Sequence, residues 1–254
     1  MNSVLSNILE TGLVQCADGE VVKAHSHIPH REGEFLQNII DETKPRVSLE
    51  IGLAYGVSAL YICDALTRIP GARHIIVDPA QFDDDYWKGA GIHNLKAAGY
   101  GDMIEFYDLP SHIALPRLES DGRQVEFAFI DGAHQFDFVL VDFFCVDRIL
   151  KVGGIVAFDD LWMPSVQRVC RYIVTNRSYT VYSYFSESSG TESQFSWKRK
   201  LFQKAAGSSE TIRRIIKPEY ASPKIDGYLG LPNRCIAFRK EAADHRVWDF
   251  HRDF

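Results

Sequence analysis

Four chemistry-bearing side chains fall where short apolar runs end: Asp131 and His134 in FIDGAHQF (129–136), and Asp159 and Asp160 in AFDDL (157–161). The runs ahead of them, VEFAFI (125–130) and GIVAFD (154–159), are β-branched and aromatic and read as strands. Neighbouring strands of a parallel sheet deliver their carboxyl ends to one edge, which brings Asp131, Asp159 and Asp160 together. Three carboxylates so placed repel one another unless they are protonated or share a cation. An all-oxygen set suits Mg²⁺, with Ca²⁺ and Mn²⁺ as alternatives, and water or substrate oxygens filling the remaining positions. His134 follows Asp131 by three residues, and with a reference pKa of about 6.5 it suits a general base for a hydroxyl acidified by that metal. Asp131 and His134 are thus the catalytic candidates, and Asp131, Asp159 and Asp160 the metal candidates. Each also has a plainer reading: a turn at Asp131-Gly132, a helix cap at Asp159-Asp160, a structural histidine at 134.

A second group lies in LEIGLAYGVSAL (49–60), an apolar strand carrying Glu50, followed by Gly52, Gly56 and Ser58 where a helix opens. Glycines at a strand-to-helix turn let a ligand lie against backbone, and the helix N-terminus offers free N–H groups and positive potential to an anion. The spacing selects the ligand. A dinucleotide turn needs G-x-G-x-x-G for its pyrophosphate, whereas here Gly52-x-x-x-Gly56 stands alone behind Glu50. An acid repels a pyrophosphate but suits an ammonium or sulfonium beside a single carboxylate, the charge pattern of S-adenosylmethionine. Asp78, twenty-six residues after Gly52 at the end of HIIV (74–77), offers two acceptor oxygens to the hydroxyls of a ribose, although Asp78-Pro79 also reads as a simple turn. Asp108, after MIEFY (103–107), is a similar candidate for the adenine edge.

These residues need a frame that presents strand ends side by side. VSLEI (47–51), HIIV, MIEFY, VEFAFI, GIVAFD, YTVYSYF (179–185) and RCIAFRK (234–240) read as strands. VSALYICDAL (57–66), the stretch near HNLKAAG (93–99) and FVLVDFFCVDRIL (138–150) read as helices between them. The alternation predicts an α/β protein with βαβ units and a parallel, Rossmann-like sheet. Ahead of it, EGEFLQNIIDETK (32–44) places Phe35, Leu36, Ile39 and Ile40 on one helical face, which should pack on the sheet as an extra leading helix. The expected organisation is one domain over 1–254, with 1–46 as a helical cap and 186–231 as an insertion between the last two strands. That insertion carries eight Lys/Arg against five Asp/Glu and reads as a solvated segment, a substrate lid or a subunit contact.

Composition narrows the partners. The chain has 254 residues, 46% hydrophobic and 24% charged, close to the globular average, which excludes disorder, collagen-like repeats and coiled coil. A net charge of -6 argues against a main task of coating nucleic acid or an anionic membrane, since both need a sustained cationic field. FDFVLVDFFCVDRIL (136–150) is interrupted by three acids, too often for a membrane span, and MNSVLSNILETG is unlike a secretory signal. Five scattered cysteines, none in a Cys-x-x-Cys pair, fit a reducing cytoplasm. The aromatic tail HRVWDFHRDF (245–254) reads as packing, with a homo-oligomer contact as an alternative.

LEIG-x-x-x-G-x-S, the Val-Asp after the second strand, IDGAH, and LKVGGIVAFDD (150–160) together resemble the class I S-adenosylmethionine-dependent methyltransferases, in particular the metal-dependent small-molecule O-methyltransferases. The likeness runs in order over about residues 32–185. It implies a doubly wound seven-stranded sheet, mostly parallel, whose last strand, RCIAFRK, is antiparallel. It also implies that Glu50, Gly52 and Gly56 line the cofactor turn, that Asp78 binds ribose, that Asp131, Asp159 and Asp160 hold the divalent cation, and that His134 matches the base of macrolide-sugar O-methyltransferases. Catechol-type relatives carry Asp-Asn and the macrolide-sugar type Glu-Asp where this chain has Asp159-Asp160, so the acceptor, a sugar, natural product or catechol-like hydroxyl, stays open. The rival readings are a nicotinamide-dependent oxidoreductase, opposed by the missing third glycine and by Glu50, and a repurposed cofactor-binding member of the fold without transferase activity.

Overall fold

A computed structural model of the chain describes residues 2–185, 225–226, 231–232 and 234–254; nearly all of the 186–231 insertion lies outside the described residues. The elements in chain order are α1 (Ser3–Thr11), β1 (Leu13–Gln15), β2 (Val21–Lys23), α2 (His30–Thr43), β3 (Val47–Ile51), α3 (Val57–Leu66), β4 (Arg73–Val77), α4 (Ala90–Ala97) and β5 (Ile104–Tyr107). They continue with α5 (Ser111–Ser120), β6 (Val125–Ile130), α6 (Phe136–Ile149), β7 (Leu150–Phe158), α7 (Pro164–Asn176), β8 (Tyr179–Phe185), β9 (Ile225–Asp226), β10 (Leu231–Pro232) and β11 (Cys235–Lys240).

Seven strands form one sheet in the order β5-β4-β3-β6-β7-β11-β8. The β5–β4, β4–β3, β3–β6 and β6–β7 pairs are parallel, while β11 runs antiparallel to both β7 and β8. The Rossmann-like sheet with its antiparallel last strand is therefore present. β7 starts earlier than expected, at Leu150, because the chain passes from α6 directly into the sheet.

The two-residue period of a strand divides the core into two layers. Phe127, Phe129, Ile155 and Ala157 face one side with α2, α3 and α4, whereas Ala128, Ile130, Val156 and Phe158 face the other with α5, α6 and α7. α2 buries Leu36, Ile39 and Ile40 with Glu32 and Gly33 on one face, and it packs along α3 within the core layer that includes Ile155 and Ala157. Gly33 is required there, since a Cβ would stand 2.3 Å from the Tyr61 ring. Two helices carry no clear advance signal: α5 contains Pro116, which forfeits a helical hydrogen bond, and α7 begins with Pro164 directly after the acidic turn.

A buried ionic knot closes the far end of the sheet. Asp147 on α6 accepts from Tyr179 Oη at 2.6 Å and from the Arg177 guanidinium, and Lys240 Nζ lies 3.3 Å from its Oδ1. Lys240 Nζ also donates to the carbonyls of Asp147 and Leu150. Arg177 and Lys240 are both almost fully buried, so deleting the acid leaves Lys240 without a carboxylate among the described residues and Arg177 with Asp244 alone. Asp147→Ala is expected to destabilise the fold by about 3–5 kcal/mol, read as a lower urea midpoint at unchanged slope. A loss under about 1 kcal/mol would show the knot to be dispensable.

Candidate active site

The turn after β3 is built to expose backbone. Gly52 holds φ +89° and Ala54 φ +48°, both in the left-handed region. A Cβ on Gly52 would stand 2.2 Å from the carbonyl oxygen of Asp131, so only glycine lets the two strand ends meet. Asp78 fixes the turn from β4: its Oδ2 accepts from the N–H groups of Leu53 at 2.9 Å and Ala54 at 3.1 Å, and its Oδ1 from Ala80 at 2.8 Å. α3 begins at Gly56 with no side-chain cap, leaving first-turn N–H groups for another acceptor.

A cavity of about 670 Å³ opens along this edge. Gly52, Ser58 and Asp78 line one part of it, Asp131, His134, Asp159 and Asp160 another, and Ser26, His27 and Ile28 of the leading segment reach across. His25 Nε2 shares a 2.9 Å hydrogen bond with Tyr55 Oη, tying that segment to the glycine turn.

The tightest cluster is Asp131, His134 and Asp160, whose ligand atoms all lie within 4.8 Å of one another. His134 Nε2 is 3.4 Å from Asp131 Oδ1 and 3.2 Å from Asp160 Oδ2. Asp159, expected as the third aspartate, lines the same cavity but lies beside Glu32 of α2, and its Oδ1 accepts from the N–H of Asp160 at 2.5 Å. Glu32 is fully buried, accepts from Arg234 Nε at 2.9 Å, and has an Oε1 without a hydrogen-bond partner among the described residues. Arg234 itself lines the cavity.

Three expected cofactor residues lie off the cavity lining. Glu50 is wholly buried on the α3 side of β3 with its Oε2 3.5 Å from His74 Nε2, because positions 48 and 50 share a face that the strand end does not turn outward. Gly56 caps α3 against Gly91 instead. Asp108 is exposed, and the loop beyond it supplies Pro110, Ser111 and His112 to the cavity. Glu32, Arg234 and His112 carried no motif, and Ser111 only its place beside Asp108. Asp142 did leave a trace, as an acid on the core-facing side of α6.

Crowding sets the electrostatics. Burial and then Asp159 push the Asp131 carboxyl up to about 8, while His134 opposes the rise. Burial, Glu32 and Asp160 hold Asp159 well above the carboxylate range, and burial raises Glu32 against the pull of Asp159 and Arg234. Burial opposes the charged form of His134, but Asp131, Asp160 and Asp159 together raise it. All four groups therefore bind protons more tightly folded than unfolded, and the stability this contributes is lost as pH rises from about 4 to above 8. Chelator-treated protein should melt at progressively lower temperature over that range, and Asp131→Asn should melt above the parent at about pH 9. Superimposable pH profiles for the two would contradict this electrostatic picture.

A family model described as a methyltransferase domain matches residues 49–161. A caffeoyl-CoA O-methyltransferase of Eucalyptus globulus is 29% identical over 136 residues, 53% of this chain and 53% of that protein. Catechol O-methyltransferase of Bos taurus is 26% identical over 166 residues, 63% of this chain and 57% of that protein. The chain thus spans little more than half the length of the curated relatives it matches. The solved structure of an O-methyltransferase from Bacillus cereus in complex with SAH superposes with a TM-score of 0.59 at 18% identity, over 71% of this chain and 83% of that one, a likeness of fold. Residues 49–161 thus match a methyltransferase domain model, and the sheet that carries them has the fold of that O-methyltransferase structure.

Proposed function

We propose that the chain moves the methyl group of S-adenosylmethionine to a hydroxyl oxygen of a small molecule, with a divalent cation such as Mg²⁺ at the acidic cluster. The observation that carries this reading is the contact between Gly52 and the Asp131 carbonyl, which makes the glycine turn and the acidic cluster two walls of one cavity. The carboxylates fit a hard cation, since oxygens of Asp131 and Asp160 converge within 4.8 Å, and His134 Nε2 beside them has no hydrogen-bond partner among the described residues and is kept for the proton.

In this reading the uncapped first turn of α3 and Ser58 bind the cofactor carboxylate, and Asp78 meets the ribose with the lone pairs that its backbone donors leave free. Asp131 and Asp160 would hold the cation, with Asp159 completing the set after release from Glu32. When bound, the sulfonium supplies an electrophilic methyl carbon and the cation supplies the positive charge that acidifies an acceptor hydroxyl. His134 Nε2 takes the hydroxyl proton; neutralising Asp131 and Asp160 removes the attractions that hold His134 protonated. Ile28, Trp87, Phe138 and Met163 give the cavity apolar walls, which favour a reaction in which charge is neutralised as the new bond forms.

The acceptor is a hydroxylated sugar, natural product or catechol-like molecule, and the five free, buried cysteines accord with a reducing, cytoplasmic setting. No helix among the described residues is long and apolar enough to cross a membrane. Methyl transfer from labelled S-adenosylmethionine to a panel of such hydroxyls should vanish in EDTA and return with Mg²⁺. Asp131→Asn should abolish turnover while S-adenosylhomocysteine still binds, and His134→Ala should lower kcat by about 10²–10⁴-fold and remove the acidic, ascending limb of the pH–rate profile. Full turnover in excess chelator would remove the cation from the account.

A further inference from the structure

Asp142 is a buried acid that this reaction does not use. It lies on α6 between the core residues Val139 and Phe143 and is 2% exposed, yet it lines the cavity. Its Oδ1 has no hydrogen-bond partner among the described residues. The Ser111 hydroxyl lies against the carboxylate and His112 draws it toward ionisation, while burial pushes it up to about 6. Gly132 lies beside the acid, where a Cβ would sit 3.8 Å from Asp142 Oδ2. A buried acceptor without a donor is destabilising, which singles it out as a group awaiting a ligand.

The sheet order says what part of a ligand arrives there. With a ribose at Asp78 on the end of β4, the base extends toward the neighbouring strand β5, whose following turn supplies Pro110, Ser111 and His112 to the cavity. Adenine has one exocyclic donor, its 6-amino group, and otherwise ring acceptors. An ionised carboxylate accepts only, so of these groups it pairs with the amine alone.

We propose that Asp142 receives the 6-amino group of the cofactor's adenine and makes the cavity select an adenosyl over an inosyl ligand. This rests on the cofactor reading above. A 6-oxo base would set an oxygen against the carboxylate and leave both acceptors unpaired.

The test is isothermal titration of S-adenosylhomocysteine and S-inosylhomocysteine against the full chain and two variants, Asp142→Asn and Asp142→Leu. The parent should prefer the adenosyl ligand by roughly 10- to 100-fold, the range of one charge-assisted hydrogen bond. Asp142→Asn puts an amide N–H beside a carbonyl at this position, so it should narrow the preference to a few-fold by binding the inosyl ligand better. Asp142→Leu fills the same space without an acceptor and should weaken the adenosyl ligand while leaving the inosyl one little changed. Tight adenosyl binding with a preference that neither substitution alters overturns the role of Asp142 alone. Failure of the parent to bind either ligand overturns the cofactor reading as well.

Discussion

Like charges crowded at one sheet edge are the constraint around which this molecule is organised. Asp131, Asp159, Asp160 and Glu32 meet where β6, β7 and α2 converge, and Arg234 is the one fixed cation among them in the described residues. Two unit charges about 4 Å apart interact by about 4 kcal/mol at an effective dielectric of 20, so a single guanidinium does not balance four ionised acids. Two remedies are open, uptake of protons and capture of a multivalent cation. The raised carboxyl groups show the first at work in the chain by itself, and the second is what the proposed reaction employs.

The surrounding fold holds that edge in place. Gly52 lets the ends of β3 and β6 touch, Asp78 pins the turn after β3 with two backbone hydrogen bonds, and α2 brings Glu32 beside Asp159. The antiparallel β11 places Arg234 at the same edge, at the start of the strand that seals β7. The leading segment, through His25 and Tyr55, joins the cavity wall to the glycine turn. The ionic knot at Asp147 secures the opposite ends of β8 and β11, so cavity and anchor lie at the two poles of the same strands.

Much of this was legible in the sequence because strand ends carry it. β3, β6, β8 and α3 occupy the residues their apolar runs mark out, and the carboxyl-edge rule places Asp131 and Asp160 beside His134. What escapes is what strand position alone does not determine. Glu50 sits at the right end of the right strand but on the face that packs under α3, and Asp159 and Asp160 follow β7 in a turn where Asp160 takes φ +53°, so the pleat does not fix their directions. Glu32 and Arg234 come from elements remote in sequence, so no spacing announces them. Pro116 disguises α5, and with it the Ser111-His112 turn that takes the place expected for Asp108.

The central claim is that a divalent cation sits within a few ångströms of the glycine turn, held by the aspartates of β6 and β7. Crystals of the chain grown with Mn²⁺ and S-adenosylhomocysteine, with diffraction collected at the manganese absorption edge, address it directly. The account expects one anomalous peak in contact with Asp131 and Asp160, beside the ligand's sulfur. Carboxylates still clasping His134 and Glu32 with no peak between them, although the ligand is bound, would contradict it.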